Sequence, residues 1–401
     1  MRIQAALIAT LLLAGCVRVV PEARPPVGVP RPLPTPTPVP TPTPTPAPPT
    51  ISAGPSVASL RIAPEDARGA LSSFIESCPR LVSRTDTSKL TTGADWRGVC
   101  DTARAWPASD AVRFFENQFD TVQLGDGATF ITGYFEPEIA GSRTPQPGYE
   151  VPVYRLPPDL VRAWPAETPM DQRTGNPPLG RYDETGAFVP YWDRAAIEDG
   201  ALAGKGLEIA WVADAAEFFF LQVQGSGLLR LPDGGLMRIG YAGQNGRGYV
   251  GIGALMRERG LIGEGPGQYP GSMQGILRYI SENPEAGKAL MRENPSWIFF
   301  KENLGDGPLG SLNVPVRAGS SVATDPVYVP LGAPVWLDVD RAEADGLWIA
   351  QDTGGAIKGV NRFDTFWGNG PEARVIAGGM SSRGQALVLL PKGVLARLLA
   401  R

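Results

Sequence analysis

From about residue 59 onward the chain alternates between two hydrophobic spacings, and each predicts a different element. Pro64-Glu65-Asp66-Ala67-Arg68, followed by Ala70-Leu71 and Phe74-Ile75, has a helix start and apolar positions three and four apart. Residues 110–119 repeat the pattern, with Ala111, Phe114, Phe115 and Phe119 on one face. Residues 128–137 then read as a strand that a proline ends, and residues 151–155 as a shorter one. A short acid-bearing helix is predicted at 193–200, a helix or strand edge at 210–212 and a buried strand at 218–227. Residues 228–238 form a hairpin that turns at Pro232-Asp233-Gly234-Gly235, and 241–246 a loop. Helices follow at 253–259, 272–282 and 284–292, then a strand at 297–300. From Gly319 strands dominate: 321–323, 327–329, 334–339, 347–351 and 386–390. Glycine and proline turns separate them, the texture of a small closed barrel.

The first 55 residues carry neither spacing. Met1-Arg2-Ile3, an apolar run to Leu13 and then Ala14-Gly15-Cys16 describe a secretory signal over residues 1–15, too short to span a bilayer. The Leu13-Ala14-Gly15-Cys16 ending resembles the bacterial lipobox, which implies that Cys16 becomes a lipidated first residue. Val17 follows in place of an aspartate, so outer-membrane sorting facing the periplasm is expected; a soluble secreted protein cut nearby is the alternative. Several acyl chains anchor far better than one. Residues 16–55 make the tether: fourteen prolines lie between Pro21 and Thr50, with Thr-Pro repeats from Thr35 to Pro46. Such a run stays extended. At about 3 Å per residue it reaches on the order of 90–100 Å.

Composition narrows the chemistry. With 401 residues and 43% apolar content the chain has material for a large core, in two domains. The net charge of −4, without a Lys/Arg run, does not favour a nucleic-acid partner. Histidine is absent, which excludes Ser-His-Asp and Cys-His nucleophiles and every His-containing metal site. Proton transfer falls to carboxylates first. No cofactor or metal is implied, because the acids are scattered. With Cys16 used, Cys78 and Cys100 remain, and in an oxidising periplasm they are expected to pair; two free buried thiols are the alternative.

The chemistry concentrates at residues 351–370, QDTGGAIKGVNRFDTFWGNG. Asp352 and Asp364 stand among glycines that let a ligand approach the backbone closely. Asp352 either faces Asp364, raising a pKa by repulsion and burial, or accepts N–H groups of the Gly354-Gly355 turn. Asp325, before Pro326, reads as a turn stabiliser. Lys358 is open to substrate or to an acid. Gln224, Ser226 and Asn245 stand beside glycines and suit hydroxyl and N-acetyl recognition or turn stabilisation; Thr132, Tyr134 and Glu136 end a strand and line a cleft. Glu136 is the rival acid. Phe218-Phe219-Phe220 and residues 297–300 read as core, and Trp367 as either.

Four stretches recur in a known order: Ile131-Thr132-Gly133-Tyr134-Phe135-Glu136-Pro137, Val223-Gln224-Gly225-Ser226-Gly227, Ala242-Gly243-Gln244-Asn245-Gly246, and the block from Val322 to Asp364. Together they resemble the membrane-bound lytic transglycosylase A family over residues 128–390, the last block resembling its three-aspartate domain with Asp325, Asp352 and Asp364. The resemblance implies a mainly β fold with flanking helices: a double-psi β-barrel domain (56–137 and 305–401), a smaller inserted β-barrel domain (138–304) and a groove between them. It implies cleavage of the MurNAc-β-1,4-GlcNAc bond of peptidoglycan to 1,6-anhydromuramoyl products. Asp364 is then the single acid and base, with Asp352 beside it and Thr132, Tyr134, Gln224, Gly225, Ser226, Asn245 and Lys358 toward substrate. Partners are the glycan strands, the outer membrane through the lipid and other cell-wall enzymes. The alternatives are a silent peptidoglycan-binding lipoprotein and a water-using muramidase pairing Asp364 with Asp352 or Glu136.

Overall fold

The computed structural model describes residues 49–400; Cys16 and the signal lie outside them. The apolar strand patterns near the C-terminus form a closed ring. Around it run Pro334–Val339, Gly346–Asp352, Ser321–Thr324, Arg362–Asn369, Ala128–Glu136 and Ser381–Pro391, which returns to the first. Two neighbouring pairs are parallel, Ser321–Thr324 with Gly346–Asp352 and Arg362–Asn369 with Ala128–Glu136; the others are antiparallel.

Closure depends on Ser381–Pro391, which pairs with two ring strands along its length. Gly384 sits where both partners meet: a Cβ there would lie 2.0 Å from the Asp338 carbonyl oxygen, so only glycine fits. Beyond Val388 the strand leaves the ring for Phe119–Leu124, which holds Ile51–Ala53 on its far side. Ile51–Ala53, near the end of the expected 16–55 tether, thus belong to this sheet.

Helices Pro64–Leu81, Gly93–Ala105 and Ala111–Gln118 pack with the ring into one core around Phe74, Trp96, Phe114 and Phe119. Cys78 and Cys100 are disulfide-bonded across the first two helices, both buried. The second helix buries Trp96, Val99, Cys100 and Ala103 at helical spacing, and its Thr92–Asp95 capping box starts it.

Between residues 138 and 302 the strands build a different sheet, ordered Ile298–Glu302, Leu236–Gln244, Ser226–Arg230, Glu138–Ser142, Glu208–Val212 and Val151–Tyr154. A three-stranded sheet spans Val161–Arg162, Leu179–Tyr182 and Phe188–Pro190. This region is not all-β: helices Ile252–Glu258, Met273–Glu282 and Pro284–Arg292 keep a small core of their own with Phe219.

Three element expectations fail for local reasons. Residues 218–224 are helical, within Ala215–Gln224, not a strand. An apolar run shows no period, and capping decides: Asp214 accepts from the N–H groups of Ala216 and Glu217 at 2.7 and 2.9 Å, and Gly225 ends the helix at φ 82°. Residues 327–329 form a turn because Asp325 accepts from Val327 N–H at 3.2 Å. The loop expected at 241–246 is strand as far as Gln244, held by Ile298–Glu302 across a bulge. Among the described residues no helix is long and apolar enough to cross a membrane.

Candidate active site

Strand alternation builds the site. Ile131, Val322 and Phe363 point into the barrel core, so Thr132, Ala323 and Asp364, one residue further along, take the opposite face. Asp364 is in register with Thr132 on one side and with Ala323 on the other, and Ala323 is in register with Asp352 beyond it. The two aspartates therefore stand two strands apart, roughly 10 Å between backbones, with Ala323 on the strand between them.

Asp364 is partly buried. Thr132 Oγ1 donates to its Oδ1 at 2.6 Å, and Oδ2 has no protein hydrogen-bond partner among the described residues. Burial pushes its pKa up to about 6; the Thr132 hydrogen bond and the Arg362 charge oppose the rise, and Asp352 adds to it. One oxygen is thus held, and the other is free to exchange a proton near neutral pH.

Asp352 is occupied differently. Its Oδ1 accepts from Ser311 N–H (2.8 Å), Ser311 Oγ (2.9 Å) and its neighbour Thr353 N–H (2.8 Å), and its Oδ2 from Tyr134 Oη (3.1 Å). Burial raises its pKa while these donors hold it down. The Tyr134 ring packs on Phe366 at 4.9 Å between centroids, and burial with the two aspartates holds its phenol well above the usual range. Tyr134 is therefore a neutral donor that fixes Asp352.

The other expected residues separate. Gln224 Oε1 accepts from Phe135 N–H at 3.0 Å, Gly225 caps the helix and Ser226 is buried in a strand. Lys358 is exposed on the turn after Asp352. Asn245 is fully buried: its Nδ2 donates to the carbonyls of Trp192 and Pro295 at 2.9 Å each, and its Oδ1 accepts from Trp297 N–H at 3.0 Å. It ties loops together, the stabilising role that the sequence offered as the alternative to recognition. Glu136 is buried and bound by Arg238 at 2.8 Å, so the rival acid is engaged in an ion pair. Asp325 accepts from Gly359 N–H at 2.9 Å as well as Val327 N–H, a structural task.

Three participants were not singled out in the sequence. Ser311 follows Gly310 but lies 41 residues before Asp352, outside the stretches that carried the motifs. Tyr249 lies between glycines: a Cβ on Gly355 would meet its Cβ at 3.8 Å, and Asp364 lies near enough to help raise its pKa, after burial and against Arg194. Arg362 stands two residues before Asp364, the one visible signal for it; its Nη2 donates to Thr132 Oγ1 at 2.8 Å.

With this geometry in view, the relatives fall into one group. Residues 130–301 match the MltA specific insert domain and 320–390 the 3D domain. The chain is 33% identical over 271 residues to the membrane-bound lytic murein transglycosylase A of Vibrio cholerae; the match takes in 64% of this chain and 65% of that protein, just short of two thirds of its length. The crystal structure of the membrane-bound lytic murein transglycosylase from Agrobacterium tumefaciens superposes with a TM-score of 0.74 at 30% identity, covering 87% of this chain and 99% of that one. E. coli MltA with bound chitohexaose superposes at 0.58 with 28% identity, covering 82% and 89%.

Proposed function

The chain belongs to the membrane-bound lytic murein transglycosylase A family, and from that premise we propose that it cleaves the MurNAc-β-1,4-GlcNAc bond of peptidoglycan without water, Asp364 acting as both acid and base. The bond from C1 to the leaving oxygen breaks, and the Asp364 proton passes to that oxygen. The C6 hydroxyl then closes on C1 to give a 1,6-anhydromuramoyl end, and its proton returns to Asp364. Atoms balance with a single carboxyl group and no histidine.

The observation that carries this reading is the asymmetry of Asp364: one oxygen bound by Thr132, the other free, and a pKa of about 6. It disfavours a two-carboxylate muramidase, which needs a second carboxylate free to act as base on the water or as nucleophile. Asp352 has both oxygens occupied by donors and Glu136 is paired with Arg238. A silent binding protein would have no use for a protonatable carboxyl held this way. That the E. coli relative binds chitohexaose supports a glycan as the ligand of this chain.

The proposal includes a double-psi topology for the closed ring, and residues 138–304 as the inserted domain. Gln224, Gly225, Ser226 and Lys358 remain its candidates for substrate contact. It also includes lipidation at Cys16 and outer-membrane placement facing the periplasm, with other cell-wall enzymes as partners, supported by the N-terminal sequence and by relatives named membrane-bound.

Digestion of purified sacculi tests the chemistry. Muropeptides one water lighter than the reducing-end products are expected; reducing ends would overturn the proposal in favour of hydrolysis, and binding without release in favour of the silent protein. Labelled palmitate should enter the wild type and not Cys16→Ser.

A further inference from the structure

Resting on the assignment of Asp364, we propose that Arg362 is a positioning residue that decides which oxygen of Asp364 carries the proton. Its Nη2 donates to Thr132 Oγ1 at 2.8 Å, and Thr132 Oγ1 lies 2.6 Å from Asp364 Oδ1. A guanidinium only donates, whereas a hydroxyl has one proton to give. Arg362 therefore occupies one lone pair of the threonine oxygen. The single threonine proton has one acceptor within reach among the described residues, Asp364 Oδ1. Were Asp364 protonated on Oδ1, that oxygen would either accept the threonine proton far more weakly or turn its own O–H on the threonine oxygen and leave the threonine proton unpartnered in a partly buried site. The chain of donors thus runs one way, and the acid's proton is confined to Oδ2, the oxygen left free for a glycan.

Arg362 is itself held. Its guanidinium lies over the Phe130 ring at 4.8 Å, and Nη1 donates to the carbonyls of Phe130 (3.3 Å) and Phe363. Arg383 lies near the same ring at 4.9 Å. The charged and titratable groups around Asp364 are Arg362 on its own strand, Tyr134 on the next strand, Asp352 two strands away and Tyr249 from the 245–251 loop. Arg362 is the cation that acts directly on Asp364, and it also reaches it through a hydrogen-bonded hydroxyl.

The test is a carbon-13 NMR titration of the Asp364 carboxyl in substrate-free protein, which reads the relay whether or not the lytic chemistry is confirmed. Arg362→Met keeps packing on Phe130 but removes donor and charge. Its midpoint should move up by about half a pH unit or more, and kcat on sacculi should fall about tenfold or more with KM within about twofold. Arg362→Lys retains a cationic donor and should titrate closer to wild type than Arg362→Met; a merely structural role would make the two variants alike. Thr132→Val should move the midpoint up, Thr132→Ser should not, and Thr132→Val with Arg362→Met should shift less than the two singles added. An unmoved midpoint in Arg362→Met, or full additivity, would overturn the relay. If Arg362→Met does not fold, an unmoved Thr132→Val overturns it equally.

Discussion

Replacing Asp364 with asparagine should remove activity and stabilise the protein at the same time, because the carboxylate is in an environment that disfavours its charge. Its pKa rises from the ordinary value of 3.8 to about 6 on folding, burial being the main cause. A group whose folded pKa lies above its unfolded one costs nothing below the unfolded value, and the cost grows as pH rises through the folded value. At pH 8 the full gap applies, about 3 kcal/mol; at pH 5 roughly half of it remains. Asparagine keeps the Oδ1 that Thr132 donates to and carries no charge. Its stability gain should therefore increase by about 1–2 kcal/mol between pH 5 and pH 8. The assay is urea denaturation of wild type and Asp364→Asn at both pH values, with m compared so that a change in compactness is not mistaken for stability. A pH-independent difference, or a variant less stable than wild type at pH 8, would refute the account of Asp364 as a buried, strained acid.

The same pKa governs the rate. As a general acid Asp364 must be protonated in the free enzyme, so kcat/KM should fall about 90-fold from pH 5 to pH 8 along a single basic limb with its midpoint near 6; a flat profile would remove it from that role. Asn245→Ala should lower stability by several kcal/mol through unpaired buried groups while leaving KM close to wild type in protein that still folds; a selective rise in KM would return the residue to substrate binding. Replacing both Cys78 and Cys100 by serine should cost about 2–4 kcal/mol, read by the same denaturation series.

The outcomes above trace to how local each feature is. Helix Pro64–Leu81 was legible because its apolar spacing and its proline start are written within one segment. The hairpin at 228–238 was legible for the same reason: the Pro232–Gly235 turn and the flanking apolar positions are adjacent. Where a run is apolar on every side, as at 218–224, spacing carries no information, and the Asp214 cap and Gly225 decide for helix.

The sequence by itself determined the chemical alphabet of this protein. Without histidine the proton carrier had to be a carboxyl first, or else a Lys, Tyr or Cys, and the glycine-rich stretch 351–370 marked which carboxyls were candidates. It also held the period-two alternation that puts Asp364 and Phe363 on opposite faces. Only the tertiary structure decided what each acid does. Asp364 meets Thr132 across 232 residues, Asp352 meets Tyr134 across 218, and Glu136 meets Arg238 across 102. These partners set which carboxyl is free, which is tied and which is neutralised. No local signal encodes them, because register between strands distant in sequence is fixed by closing the barrel and burying one whole face of each strand at once.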